Sequence, residues 1–415
     1  MAVAWIDPEY GDPLPPEPGL TPDEVVARAE KIAHTLVARQ GEVEERTYYA
    51  EDVHEQLRDA GFYRILVPRR YGGYEFGVDT FFRVSMALTR GCPSTGWMYT
   101  LGAVHALAVA TLFDEKTQDE VFAGGDFICP ATVMPTGFAE PAEDGGWIVN
   151  GTWGYCSGSP YATHFLGHAL VAMEDSEEPV PMMFIAPRSE WERLDDWGTQ
   201  LGLKGSGSHS ITIENGHIPA HYTLPAHLSQ LTVTDGTPGA ALHGNPMYGG
   251  GPMSFMVLES AALAVAIAKG ALDAYEDLMR DRTTLFPPIV GRAEDADFQY
   301  WYGEASGLVA TAEAAITDTI RQWQEMCVEG PAAFTREREL RLATIVREVV
   351  RLAWRAVEGN VFPTAGSSSV RRGERIERYW RDLSTLVSHA GISLFLNAMA
   401  TREYAQVRFG VEPQH

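Results

Sequence analysis

Gly151-Thr-Trp153-Gly-Tyr155-Cys-Ser157-Gly158 follows a short aromatic and β-branched run, Trp147-Ile-Val-Asn150. Trp153, Tyr155 and Ser157 keep the two-residue alternation of a strand as it runs into a glycine-rich turn. Similar short runs surround it between about Gly124 and Leu242: Trp147–Val149, Phe165–Met173, Met182–Ala186 and Ser210–Ile213, separated by Gly, Pro and Asp. This region predicts a compact β barrel or sandwich. On both sides the period changes to that of helix. Thr21-Pro22 suits an N-cap and first turn, and Val25, Ala29, Ile32, Ala33, Leu36 and Val37 form one stripe. Helix is expected to about Phe122, with interruptions at Pro68, Gly72-Gly73 and Pro93 with Gly96. Thr232–Gly251, rich in glycine, reads as a linker. Helical spacing returns over Pro252–Thr284, Ala293–Cys327, Arg336–Asn360 and Trp380–Phe409, the count of a four-helix bundle. The expected class is α+β multidomain: an extended arm at 1–20, a helical domain at 21–123, the central β barrel at 124–242 and a C-terminal helical bundle at 243–415.

Composition agrees with a globular chain. Its 415 residues exceed what one core usually supports, and 45% are apolar. A net charge of −24 repels phosphate backbones and anionic lipid, so neither nucleic acid nor a membrane surface is an expected partner. Cys92, Cys129, Cys156 and Cys327 are far apart, without the spacing of a zinc site or a disulfide framework. No metal is expected, and a reducing, cytoplasmic setting is. The start carries acidic residues and prolines rather than a basic, apolar leader, and the apolar stretch Ala261–Ala268 is too short to span a bilayer.

Three further patterns sit near the domain junctions. One is Leu201-Gly-Leu-Lys204-Gly-Ser206-Gly-Ser208. Another is Arg282-Thr-Thr-Leu-Phe286, closing a long helix. The third is Ala365-Gly366, followed by Arg381-Asp382 and then His389. Together with Gly151–Gly158 and the stretch Ala131-Thr132-Val-Met-Pro135, these resemble the acyl-CoA dehydrogenase superfamily, over almost the whole chain and in the same domain order. The resemblance implies a flavoenzyme. In it Tyr155 takes the aromatic place against the flavin ring and Ser157 the hydroxyl place near N5. Ala131 and Thr132 lie at the flavin edge, and Lys204 and Ser206 replace the family's Arg-Gly-Ser. Arg282, Phe286, Gly366 and Arg381 fall where relatives contact flavin across a subunit boundary, which implies a homo-oligomer, a tetramer built as a dimer of dimers.

The departures from that pattern point to oxygen chemistry. A dehydrogenase needs a carboxylate to remove a proton α to a thioester carbonyl. Here Arg381-Asp382 is followed by His389, with no carboxylate before Glu403. His389 and the Trp-x-Tyr-x-Ser-Gly form of the first segment resemble the two-component, group D flavin-dependent monooxygenases. That branch takes reduced FAD or FMN, here preferably FADH2, from a separate NAD(P)H-flavin reductase. It forms a C4a-hydroperoxide with O2 and hydroxylates an aromatic, indolic or related small molecule. The resemblance implies that Ser157 hydrogen-bonds the flavin and that His389 orients the substrate heteroatom and takes its proton. No GxGxxG placed between strand and helix suggests that the chain binds NAD(P) itself. Trp97, His105, Phe138 and His209 are candidates for the substrate pocket. Two other readings remain: a dehydrogenase or oxidase using Asp273 or Glu276, and a non-catalytic ligand-binding member of the fold.

Overall fold

A computed structural model describes residues 13–172 and 178–411. Residues 1–12 of the expected arm, and Met173 at the end of one expected strand, lie outside the described residues. The N-terminal helices are α1 (Pro22–Leu36), α2 (Gln40–Arg46), α3 (Glu51–Asp59), α4 (Val78–Gly91), α5 (Pro93–Ala103), α6 (His105–Leu112) and α7 (Glu115–Val121). Thr21 and Glu24 close a reciprocal capping box on α1, and Val25, Ala29, Ala33 and Leu36 of its stripe are buried. The expected break at Pro93-Gly96 is confined to Cys92. Pro93 occupies the first turn of α5, and Gly96 lies inside that helix because it packs directly on the backbone of Thr89 in α4.

The strands are β1 (Gly137–Pro141), β2 (Trp147–Trp153), β3 (His164–Val171), β4 (Val180–Pro187), β5 (Glu192–Arg193), β6 (Ile211–Ile218) and β7 (Thr223–Leu224). They form one mixed sheet in the order β5-β6-β2-β1-β3-β4-β7, with only β1 and β3 parallel. The runs expected to build the central β domain thus form one seven-stranded sheet whose outermost strands, β5 and β7, are two residues each. Each expected strand run overlaps β2, β3, β4 or β6. Trp153 turns into the core against Phe165 and Phe184 and donates its indole N–H to His168 O at 2.8 Å.

The stretch read as a linker contains α8 (Pro238–His243). The C-terminal layer is α9 (Pro252–Asp281), α10 (Ala296–Glu329), α11 (Arg336–Ala356), α12 (Phe362–Thr364), α13 (Arg375–Ser388) and α14 (Thr401–Phe409). The central helix, α9, packs against α4, α10, α11 and α13. It is long and apolar enough to cross a membrane, but 83% of its most apolar window is buried inside the chain, where core packing accounts for that composition. The fourth expected helix is not continuous. It breaks at His389, resumes as π-helix over Gly391–Ala400, and bends by 47°.

Burial sets a pH dependence. Desolvation lowers the pKa of His54, His105, His164, His168, His209, His243 and His389; for His105, His164, His168 and His243 it falls to about 4. Such groups stabilise the fold above the unfolded histidine pKa of about 6.5, and the contribution is lost as pH falls toward the folded value. Asp382, pushed up to about 7, and the raised carboxyls Glu259 and Glu339 act in the opposite direction. The histidines outnumber them, so thermal melting is expected to drop by several °C between pH 6.5 and 5. A flat or rising melting temperature over that interval would contradict this account.

Candidate active site

Tyr155, just past β2, has φ 62°, a left-handed conformation uncommon outside glycine. That turn sends the Tyr155 ring outward, 69% exposed and edge-on to Trp197 at 5.5 Å, and brings Ser157 inward, 8% exposed. Gly158, at φ 97°, allows the turn to sit flush on α5. A Cβ there would lie 3.2 Å from Gly102 Cα and from Met98 O. The close approach places Trp97 of α5 over the turn, and its indole N–H donates to Ser157 Oγ at 2.9 Å.

Ser157 Oγ lies 2.7 Å from Ser208 Oγ, which lies 2.7 Å from Ser206 Oγ. On its other side Trp97 meets His389 edge-on, ring centroids 5.7 Å apart. Ser157 and His389 therefore converge on one indole, although one ends a strand and the other ends a helix. His389 caps α13 at the break. It reaches solvent yet is closely surrounded, and that desolvation lowers its pKa. Gly391 N–H donates to His389 Nδ1 at 3.2 Å, so the neutral ring carries its proton on Nε2.

The loop carrying Ser206 and Ser208 is clamped to α13. Leu203 N donates to Asp382 Oδ1 at 2.6 Å, and Arg381 Nη1 donates to Leu201 O at 2.8 Å. The rest of the Arg381 guanidinium is taken up by Glu44 and Glu377. Arg381 is thus an internal tie, contrary to its expected place among the cofactor contacts. His209 is also corrected. It is fully buried, with Nε2 3.0 Å from Thr47 Oγ1 and Nδ1 accepting from Trp197 N at 3.3 Å, so it faces no pocket. Ser206, fully buried, reaches the site only through Ser208. Lys204 is half-buried on the same loop.

Where β1 begins and β2 ends, Val133, Met134, Phe138 and Tyr155 are exposed apolar groups, Phe138 at 61%. Ala131 pairs with Leu166 of β3, and Thr132 Oγ1 behind it is buried without a hydrogen-bond partner. An apolar surface with hydroxyls at one edge fits a flavin ring, which needs cover on its faces and hydrogen bonds at its polar rim. His105 is buried and neutral. Its Nδ1 lies 2.7 Å from Cys129 O, while Nε2 has no partner.

Arg282, Phe286 and Gly366 gather elsewhere, beyond the C-terminal end of α9. Arg282 Nη1 reaches Ser368 Oγ at 3.3 Å, and Phe286 is 75% exposed. Arg292 joins them, donating to Ala365 O at 3.0 Å. The sequence reading missed it, and only its place after the Pro287-Pro288 turn could have drawn attention to it. Asp273 and Glu276, the carboxylates considered for a dehydrogenase, are occupied. Asp273 holds Arg90 in a two-toothed pair at 2.6 Å, and Glu276 holds Arg280 and Tyr302.

Two family models cover more than half of the chain: the acyl-CoA dehydrogenase N-terminal domain over residues 22–120 and the C-terminal domain over 258–394. The chain belongs to the acyl-CoA dehydrogenase family. Within that family it is 29% identical to a pigment production hydroxylase of Rhodococcus sp., over 90% of this chain and 94% of the relative. It is 27% identical to the oxygenase component of an FADH2-dependent resorcinol hydroxylase of Rhizobium sp., over 96% and 98%. Among solved structures, 3-HSA hydroxylase from Rhodococcus sp. RHA1 superposes with a TM-score of 0.83 at 24% identity, covering 94% of this chain and 98% of that one. That similarity bears on the fold.

Proposed function

We propose that this family member is the oxygenase component of a two-component flavin-dependent monooxygenase acting on an aromatic, indolic or related small molecule. The observation that carries the reading is the convergence of Ser157 and His389 on Trp97. The named relatives support it, being hydroxylases and oxygenase components. Bound reduced flavin, FADH2 in preference to FMN, supplies two electrons to O2, so that one oxygen atom enters the substrate and the other leaves as water.

The chain's own residues orient and protect that chemistry. A serine hydroxyl accepts two hydrogen bonds and donates one. Trp97 N–H donates to Ser157 Oγ, and where Ser208 O–H donates to it as well, the Ser157 proton is left free to serve the flavin edge as a neutral donor. Trp97 and the apolar surface around Tyr155 exclude water. His389 Nε2–H orients the substrate oxygen. That tautomer must reverse before Nε2 can accept a proton, at the cost of the Gly391 hydrogen bond. The lowered pKa keeps His389 neutral at physiological pH, as a proton acceptor requires.

Arg282, Phe286 and Gly366 gather past the C-terminal end of α9, with no hydrogen bond among the described residues to the turn that carries Ser157. That separate placement supports a homo-oligomer, a tetramer in our reading, in which one copy reaches the flavin of another. A separate flavin reductase is the expected partner. Four buried cysteines, none in a disulfide, are compatible with a cytoplasmic setting.

The test supplies the chain with FADH2 from a generic reductase, air, and a panel of phenols, indoles and amines. Hydroxylated product is expected for part of the panel. His389→Ala is expected to depress product formation by roughly 100-fold while oxygen consumption continues and hydrogen peroxide accumulates. Peroxide alone from the unaltered chain across the whole panel would refute the reading.

A further inference from the structure

Three polar side chains deep in the helical layer have no part in the site described above. Ser85 of α4, Thr100 of α5 and Glu259 of α9 are 0%, 0% and 4% exposed. Ser85 Oγ, Thr100 Oγ1 and Glu259 Oε1 have no hydrogen-bond partner among the described residues. Buried polar atoms are nearly always paired, so three orphans call for an explanation.

Helix register brings the three together. Gly96 of α5 packs on Thr89 of α4, where an added Cβ would meet Thr89 Cα at 2.4 Å. Tyr99 of α5 also meets Phe81 of α4 at 5.8 Å between ring centroids, so α5 runs back along α4 and Thr100, one turn past Gly96, comes near the level of Ser85, one turn before Thr89. On α9, Phe255 meets Phe82 of α4 at 5.5 Å between ring centroids, and Gly270 closes on Arg90 O. Glu259 lies between those contacts and on the same face, one turn past Phe255 and three turns before Gly270. It is therefore level with Ser85, which sits on the α4 face between Phe82 and Thr89.

The same level contains the active site. Gly270 also packs on Tyr379 of α13, and Asp277 pairs with Arg375 at 2.7 Å, so α9 and α13 run antiparallel. His389, ten residues past Tyr379, draws level with Glu259, eleven residues before Gly270, about 15 Å along each helix. Trp97 lies one turn before Thr100 on α5. The three unpaired groups thus lie at the level of Trp97 and His389.

We propose that Ser85, Thr100 and Glu259 form the far end of the substrate pocket and recognise a neutral oxygen substituent, an alcohol or ketone, remote from the oxygenated carbon. The proposal rests on the monooxygenase reading. No cation stands among the three groups, so a substrate carboxylate would be buried without a counter-charge. Burial raises the pKa of Glu259 and so favours its uncharged form, which can both donate and accept.

The experiment measures anaerobic binding of 4-(2-hydroxyethyl)phenol, 4-ethylphenol and tyramine to the full chain with FADH2, read by tryptophan fluorescence, with turnover in air as a second readout. The unaltered chain is expected to bind the hydroxyethyl compound about 10-fold more tightly than the ethyl compound. Glu259→Leu and Ser85→Ala are expected to bring that ratio close to one. Glu259→Gln, which keeps a neutral donor and acceptor of the same shape, is expected to retain most of it. A purely structural role would leave the ratio unmoved. Equal binding of the two phenols by the unaltered chain, an unchanged ratio in both Glu259→Leu and Ser85→Ala, or tightest binding of tyramine would each overturn the proposal. Absence of hydroxylated product across the whole panel of phenols, indoles and amines, with the binding ratio intact, would instead overturn the monooxygenase reading and leave the pocket assignment standing.

Discussion

Ser157→Ala is expected to uncouple the enzyme: oxygen is still consumed, but product per oxygen falls by roughly 10-fold or more and hydrogen peroxide rises to match. The hydroxyl accepts from Trp97 N–H at 2.9 Å and lies 2.7 Å from Ser208, and with Ser208 as the donor of that pair its own O–H is free for the flavin edge. Its loss removes the one neutral donor aimed there. A preorganised donor in a site shielded from water commonly contributes 10²–10³ in rate, so tenfold is the lower expectation. The deletion also leaves the Trp97 N–H and the Ser208 hydroxyl short of a buried partner, a cost of about 1–3 kcal/mol. Parallel assays of product, oxygen and peroxide, together with thermal melting, separate the two effects. A stability loss with unchanged coupling would remove Ser157 from the chemistry and leave it a packing role.

Gly202→Ala is expected to be strongly damaging, although it adds a single methyl group outside the catalytic residues. A Cβ at Gly202 would stand 2.2 Å from Arg381 O and 2.7 Å from Asp382 N, both backbone atoms of a helix that cannot retreat. The loop must lift, breaking Leu203 N to Asp382 and Arg381 to Leu201 O. We expect about 2–4 kcal/mol of lost stability, at or above the usual range for overpacking because two buried hydrogen bonds go with it. Since the same loop carries Ser206 and Ser208, the hydroxyl chain behind Ser157 is disturbed as well. Coupling should therefore fall even under conditions where the variant is fully folded. Melting near that of the unaltered chain would contradict the tight clamp between this loop and α13.

Much of this was legible in sequence because it rests on local chemistry. Thr21, Pro22 and Glu24 specify a helix start whatever surrounds them, and the alternation through Trp153, Tyr155 and Ser157 marks a strand entering a turn. Motifs bring Ser157 and His389 forward as candidates, and both side chains meet Trp97. What escaped depended on contacts between distant segments. Arg381 looks like a free cation in sequence, and only Glu44 and Glu377 show it to be an internal tie. His209 resembles a pocket residue until Thr47, more than 160 positions earlier, is seen to hold its ring. The break at His389 was hidden because the helical period continues on both sides, with neither glycine pair nor proline to mark the bend. Short outer strands such as β5 carry too few residues to show any period.

In the proposed reaction this chain inserts one atom of molecular oxygen into an organic substrate at the site shared by Trp97, Ser157 and His389. Turnover of a productive phenol or indole under heavy-isotope oxygen, with FADH2 supplied by a separate reductase, tests it most directly. Mass spectrometry of the product is expected to show one labelled oxygen, lost in parallel with activity when His389 is replaced. Product carrying oxygen from water, or a desaturated product without new oxygen, would contradict it.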